Sequence, residues 1–310
     1  SDSEAPPPTP PVSAPASPPG APQMSSTQSA VASGAFLADG ENIEVIDSRA
    51  SQDITIEVIS YKRLDGAQRF IDAQALYYAN ESGIRLKQVR ITLNNSEAIL
   101  ESGSLQFMHG HLVMDNPLGG AKGIAKALKN KFLAGEAGFR PTVKGSGVVY
   151  LEPSSGHFLI TELTNEPLIV DRGIFFCCEK SVEVGHVSQK NVSTAIFGGE
   201  GWFQTHISGA GLCVLTSPVP EHEIRKISLK NETLQVDGSF ALVRSAGLDF
   251  SIKKATKGII GTLTSGEGLI QTFQGTGEVW LAPTKPVYDA LLSEGVGGAV
   301  SAITDLFTSD

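Results

Sequence analysis

An all-β fold with few, short helices is what this sequence predicts, on three observations. Glycine is plentiful, 33 of 310 residues, and much of it falls in closely spaced pairs. Runs such as Ile54-Thr55-Ile56-Glu57-Val58-Ile59 alternate apolar and polar side chains, the period of a half-buried strand. A Gly-Glu pair followed by Gly-x-Gly returns three times, and a fixed period of that kind marks a repeated structural unit. With 41% hydrophobic and 18% charged residues the chain can bury a real core.

The chain opens on another texture. Nine of the 17 prolines lie between Pro6 and Pro22, amid Ala, Ser and Thr, and the first basic residue is Arg49. So little bulky apolar surface cannot offset ordering entropy, so residues 1–40 are expected to form a disordered tail. Residues 41–287 then read as one β domain, and 288–310 as a helical C-terminal tail. The helical patterns lie around Ala67–Tyr78, around Gly123–Phe132 and from Val287 to about Phe307.

The repeat organises the β domain. Gly135-Glu136 leads to Gly145-Ser146-Gly147, Gly199-Glu200 to Gly209-Ala210-Gly211, and Gly266-Glu267 to Gly275-Thr276-Gly277, with the Gly-Glu pairs 64 and 67 residues apart. Glycine supplies the positive φ of tight reversals, so each Gly-x-Gly is expected to be a hairpin turn. In the strand that follows, Val149 and Leu151, Cys213 and Leu215, and Val279 and Leu281 share a core face. Val148 and Tyr150, Leu212 and Val214, and Glu278 and Trp280 share the other, toward solvent or a neighbouring module. An acidic residue and a small strand stand upstream of each copy, at Glu101, Asp171 and Asp237. Units of about 89–154, 156–219 and 223–287 predict pseudo-threefold symmetry within one domain, since each is small enough to be marginal alone.

These residues resemble the Altered Inheritance of Mitochondria protein 24 family. The resemblance runs from about Tyr77 to Lys285 and is carried by Arg85-Leu86-Lys87-Gln88-Val89-Arg90, Leu105-Gln106-Phe107-Met108, Gly198-Gly199-Glu200-Gly201 and Val279-Trp280-Leu281-Ala282-Pro283. It implies three pseudo-symmetric repeats with the trp RNA-binding attenuation protein-like (TRAP-like) β-sandwich fold. It also implies, from a mitochondrial member, a link to organisation of the inner membrane and its cristae junctions. It carries no catalytic residue set. The third copy departs from the pattern, its Gly266 to Gly275 interval being one residue shorter than Gly135 to Gly145.

Candidate chemistry is sparse. Glu136, Glu200 and Glu267 recur with the repeat; three carboxylates at an axis would bind a hard cation, but each more simply accepts hydrogen bonds from amides at a glycine turn. His109 and His111 share a strand face without further ligands, and close spacing alone does not make a metal site. Cys177 and Cys178 are adjacent and point to opposite strand faces, which suits neither a disulfide nor a shared metal, while Cys213 takes a core position. Lys122, Lys126 and Lys129 share one helical face opposite Ala121, Ala125, Leu128 and Phe132. With Lys253, Lys254 and Lys257 they form the candidate binding set for anionic lipid headgroups or a phosphate-bearing partner, the plainer account being a solvated helix face.

No nucleophile elbow, zinc helix, phosphate loop or dinucleotide fingerprint is present, so a non-enzymatic binding or scaffold protein without cofactor or metal is expected. Its expected partners are proteins, its own copies or a peripheral anionic membrane surface. The alternative is a small-ligand or nucleic-acid sensor, by analogy with the TRAP-like fold. A net charge of −9, borne mainly outside the tail, disfavours nucleic acid. No transmembrane segment or targeting signal is visible, which gives a cytoplasmic expectation, or a mitochondrial one for a eukaryotic source.

Overall fold

The structure is a computed structural model that describes residues 40–115, 140–188, 203–237, 240–254 and 269–291. The chain divides between Ala35 and Phe36, and every described residue belongs to the second unit.

That unit is all-β. Its strands are β1 (Ile43–Ala50), β2 (Ile54–Tyr61), β3 (Leu86–Leu100), β4 (Leu105–Asp115), β5 (Thr142–Leu151), β6 (His157–Thr164) and β7 (Leu168–Val170), followed by β8 (Phe175–Glu179), β9 (Val182–Ser188), β10 (Phe203–Ser217), β11 (Arg225–Asp237), β12 (Ala241–Ser245), β13 (Asp249–Lys254) and β14 (Leu269–Leu281). All pair antiparallel in one branched hydrogen-bonded network. Among the described residues the helices are α1 (Phe70–Glu81), a 3-10 turn at Glu221–Glu223, and a helix over 285–291. The helix expected around Gly123–Phe132 lies outside the described residues, as does most of the expected C-terminal one.

The hairpin expectation at Gly-x-Gly is wrong. Gly145 and Gly147 lie inside β5, Gly209 and Gly211 inside β10, and Gly275 and Gly277 inside β14, so the chain runs on through all three sites. Glycine is needed there for two other reasons. The φ angles are positive, +127° at Gly145, +96° at Gly209 and +124° at Gly275. The neighbouring backbone also comes close: a Cβ on Gly145 would lie 2.1 Å from the His111 carbonyl oxygen, and one on Gly209 would lie 2.5 Å from that of Ser181. The reversals sit instead at the upstream acidic segments. Ser104 N–H donates to the Glu101 carbonyl around Gly103, and Ile174 N–H to that of Asp171 around Gly173.

Opposite each Gly-x-Gly an asparagine takes the left-handed conformation, Asn95, Asn165 and Asn231, at φ 51°, 68° and 58°. Asn is among the few non-glycine residues that tolerate this region. Asn95 and Asn231 create bulges in β3 and β11, and Asn165 ends the β6 ladder. Asn95 N–H donates to Ser146 Oγ (2.8 Å) and Asn231 N–H to Thr276 Oγ1 (3.1 Å). Where the middle residue is Ala210, without a hydroxyl, Asn165 N–H turns to the Gly209 carbonyl at 3.0 Å.

The glycines also let one strand serve two sets of partners. Residues 203–209 of β10 pair with β9, and residues within that half with β7; residues 210–217 pair with β6, and residues within them with β8. Beyond its glycines β10 is buried on both faces, Leu212 and Val214 entering one core with Ile56, Val89 and Val149, and Cys213 and Leu215 another with Val170, Ile207 and Trp280. Val148 and Tyr150 are buried too, against Ile59. The second face therefore meets neighbouring structure rather than solvent, except at the half-buried Glu278.

Candidate functional site

Most of the residues singled out in the sequence lie outside the described part: Lys122, Lys126, Lys129 and Lys257, and Glu136, Glu200 and Glu267. Lys253 and Lys254 end β13, paired in the ladder with Ile270 and Leu269. His109 and His111 are exposed on β4, across from Val148 and Ser146. No cluster of three or more potential metal ligands occurs among the described residues. Cys177 and Cys178 do enter opposite cores, and all three cysteines are reduced and buried. Burial pushes each thiol well above its ordinary value, which suppresses the reactive thiolate.

A cleft of about 310 Å³ opens where the start of β6, the turn before β8 and the end of β10 meet, lined by His157, Asp171, Arg172, Thr216 and Lys285 among others. Burial raises the Asp171 carboxyl; an amide hydrogen bond from Arg172, one from the Gln204 side chain and the charge of Lys285 act against it. Burial, then the charge of Lys87, lowers His157. Lys87 is itself lowered by burial, and its Nζ donates to the Gly156 carbonyl at 3.0 Å. The hydroxyls here are committed to the backbone. Ser154 Oγ accepts from Gly156 N–H (2.9 Å), Ser217 Oγ donates to the Val219 carbonyl (2.6 Å), and Thr216 Oγ1 donates to that of Ile174 (3.2 Å). Nothing in the cleft pairs a hydroxyl with a base in the way nucleophilic catalysis requires.

The other conspicuous surface is α1. Ala73, Gln74, Ala75, Leu76 and Ala79 favour a helix, and Asp72 in the first turn pairs with Arg69 at 2.7 Å. The helix ends in a Schellman cap: Gly83 has φ +74°, Gly83 N–H donates to the Asn80 carbonyl, and Ile84 N–H donates to that of Ala79 at 2.9 Å. Yet α1 buries none of its 12 residues. Phe70, Ile71, Tyr77 and Tyr78 are 85%, 62%, 60% and 59% exposed, and Ile84 just beyond is exposed as well. The two tyrosines meet edge to face, ring centroids 5.5 Å apart. Large apolar side chains gathered on one surface mark an interaction site.

The family profile described as "Mitochondrial biogenesis AIM24" matches residues 78–284, which takes in the strands from β3 to β14 and the cleft lining except Lys285. The chain belongs to the AIM24 family. It is 27% identical over 202 residues, 62% of this chain and 79% of the other, to an uncharacterized protein, M6_Spy0233, of Streptococcus pyogenes serotype M6. A solved structure, protein SPYM3_0169 from Streptococcus pyogenes, aligns with a TM-score of 0.50 and 23% identity over 64% of this chain and 88% of that one, a likeness of fold. The AIM24 match begins at Tyr78, so Phe70, Ile71 and Tyr77 lie just before the part of the chain shared with the family. Sequence reasoning sees the helix there and misses its surface, because the pattern of α1 does not say whether anything covers it. No helix among the described residues is long and apolar enough to cross a membrane.

Proposed function

We propose that this AIM24 protein is a non-enzymatic scaffold that acts by binding, holding a protein partner on the apolar surface of α1. Within it we read the three successions of strands, about 89–154, 156–219 and 223–287, as copies of one β unit that together make the rigid body behind that surface. The observation that carries the proposal is a helix that buries none of its residues while presenting Phe70, Ile71, Tyr77 and Tyr78. Covering each such side chain contributes about 1.5–3 kcal/mol, enough together to drive association. The charges of α1 favour a protein over an anionic membrane, since Arg69 is already paired with Asp72. Committed hydroxyls in the cleft and three suppressed thiols support the non-enzymatic part.

The test is co-purification of the full chain from its own cells, as wild type and as the double variant Phe70→Asp, Tyr77→Asp. A partner held by wild type and depleted at least about tenfold by the variant, at equal thermal stability, is the expected result. Equal recovery by both proteins overturns it. Contact with anionic headgroups is a separate arm that rests on Lys122, Lys126, Lys129, Lys253, Lys254 and Lys257, each contributing about 1 kcal/mol near such a surface. Salt-sensitive flotation with anionic vesicles, lost when Lys122, Lys126 and Lys129 become Glu, would support it; no flotation removes it.

A second reading, a small-ligand sensor, is favoured by the cleft that brings Asp171, Arg172, His157 and Lys285 together. Thermal stabilisation by a small anion or amino acid, abolished by Arg172→Ala, would promote it. The nucleic-acid version is disfavoured by the net charge of −9, and a flat binding curve to single-stranded RNA at low salt ends it.

A further inference from the structure

Two short ladders join one succession of strands to the next. Ala98–Leu100 of β3 pair with Cys177–Glu179 of β8, and Leu168–Val170 of β7 pair with Val243–Ser245 of β12. In both, one side lies three to five residues beyond a left-handed asparagine, Asn95 or Asn165. The other side is the first strand after an acidic segment, Asp171 before β8 and Asp237 before β12. The pattern supplies each half once more. Asn231 puts Leu234–Val236 of β11 in the first role, and Glu101 puts Phe107–His109 of β4 in the second.

These two halves do not meet. Among the described residues β11 pairs only with β14, and β4 only with β5. Burial follows the difference. Cys177 and Cys178 of β8 are fully buried, and Val243 and Arg244 of β12 nearly so, whereas Phe107 and Met108 at the corresponding place on β4 are 41% and 37% exposed. Phe107 is held ready there, its ring stacked on that of Tyr150 at 4.3 Å. An uncovered edge with apolar side chains is a template for another strand, and such edges rarely persist unmanaged.

We propose that a second copy of this chain closes the gap, Leu234–Val236 of one copy pairing antiparallel with Phe107–His109 of another. The occupant is a second copy because this chain itself carries both halves of the contact, and its two internal ladders show how they fit. The surfaces differ, so the contact is head to tail: each joined pair leaves one β4 edge and one β11 edge open, and assembly continues until a ring closes or a filament grows. The inference specifies the self-association expected of the scaffold proposed above and uses no residue of α1.

Disulfide trapping in the full chain tests it. By analogy with the internal ladders Met108 lies opposite Gln235, both exposed, and directly opposite residues have Cβ atoms about 4.5–5.5 Å apart, close enough for a disulfide after small adjustment. His109→Cys covers the register one residue along. The native thiols are all buried. Mixing a Met108→Cys (or His109→Cys) chain with a Gln235→Cys chain under mild oxidation is expected to give a cross-linked heterodimer, with little product from any single variant alone. Wild type is expected to exceed the 32.6 kDa of one chain in light scattering, increasingly with concentration. Cross-linking of a Met108→Cys or His109→Cys chain with itself would mean a symmetric contact and overturn the proposal. A Met108→Cys, Gln235→Cys chain that cross-links internally as a monomer would mean that the third ladder closes within one chain, and also overturns it. No cross-link in any mixture, with a monomeric mass throughout, does the same; if the α1 variant still loses its partner, that failure touches this inference alone.

Discussion

The glycines of Gly-x-Gly differ in why they are glycine, and that difference is measurable. At Gly145 a positive φ coincides with a Cβ position 2.1 Å from a backbone oxygen, whereas at Gly275 the φ is equally positive but the nearest atom is Leu248 Cδ2 at 3.6 Å. Gly145→Ala should therefore cost about 3 kcal/mol or more, and Gly275→Ala only the conformational part, about 1–2 kcal/mol. Denaturant unfolding of the two variants gives the comparison. The cleft carries two residues whose pH responses oppose. Burial raises Asp171 above its ordinary 3.8, so the fold holds that proton to higher pH than the unfolded chain does. Its contribution to stability is complete below 3.8 and is lost as pH rises through the raised value. His157 is lowered below its ordinary 6.5, so stability is lost as pH falls below 6.5 and through the lowered value. Asp171→Asn should stabilise the protein at pH 7 and flatten the slope above 3.8, and His157→Gln should flatten the slope below 6.5, both read from urea midpoints across a pH series.

At the scale of elements, the alternation in Ile54–Ile59 made β2 legible, and the residues around Ala67–Tyr78 made α1 legible to within a few positions. The triple Gly-x-Gly was legible as a repeated feature and misread as a turn, because a tight reversal and a close strand approach both ask for glycine. A signal that separates them was present: Leu93-Asn94-Asn95, Leu163-Thr164-Asn165 and Leu229-Lys230-Asn231 repeat Leu-x-Asn, and the asparagine occupies the left-handed position facing each glycine pair. Replacing Asn231 by Val, which tolerates φ 58° poorly, should cost about 1–3 kcal/mol, while Asn231→Gly should cost much less. The surface of α1 was not legible, since exposure depends on what the rest of the chain brings near. Its cap is local: Gly83→Ala should lower stability by about 1 kcal/mol through the strained left-handed position, without changing the β core.

For the whole molecule, three large clusters of buried side chains, with a small fourth around Ile59, are threaded by long strands, and β10 contributes to two of the large ones through opposite faces. Among the described residues chemistry is sparse within this body and apolar side chains are left outside it, on α1, in keeping with the function proposed for that surface. The buried thiols offer one check: Cys177, Cys178 and Cys213 should resist a thiol reagent in the native protein and react at once in denaturant. The most direct test of a scaffold working through α1 is carbene footprinting of the full chain, purified and again in a lysate of its source cells. Heavy labelling of Phe70, Ile71, Tyr77 and Tyr78 in the purified protein, with clear protection in the lysate, is the predicted result. Equal labelling of these four residues in both samples would contradict it.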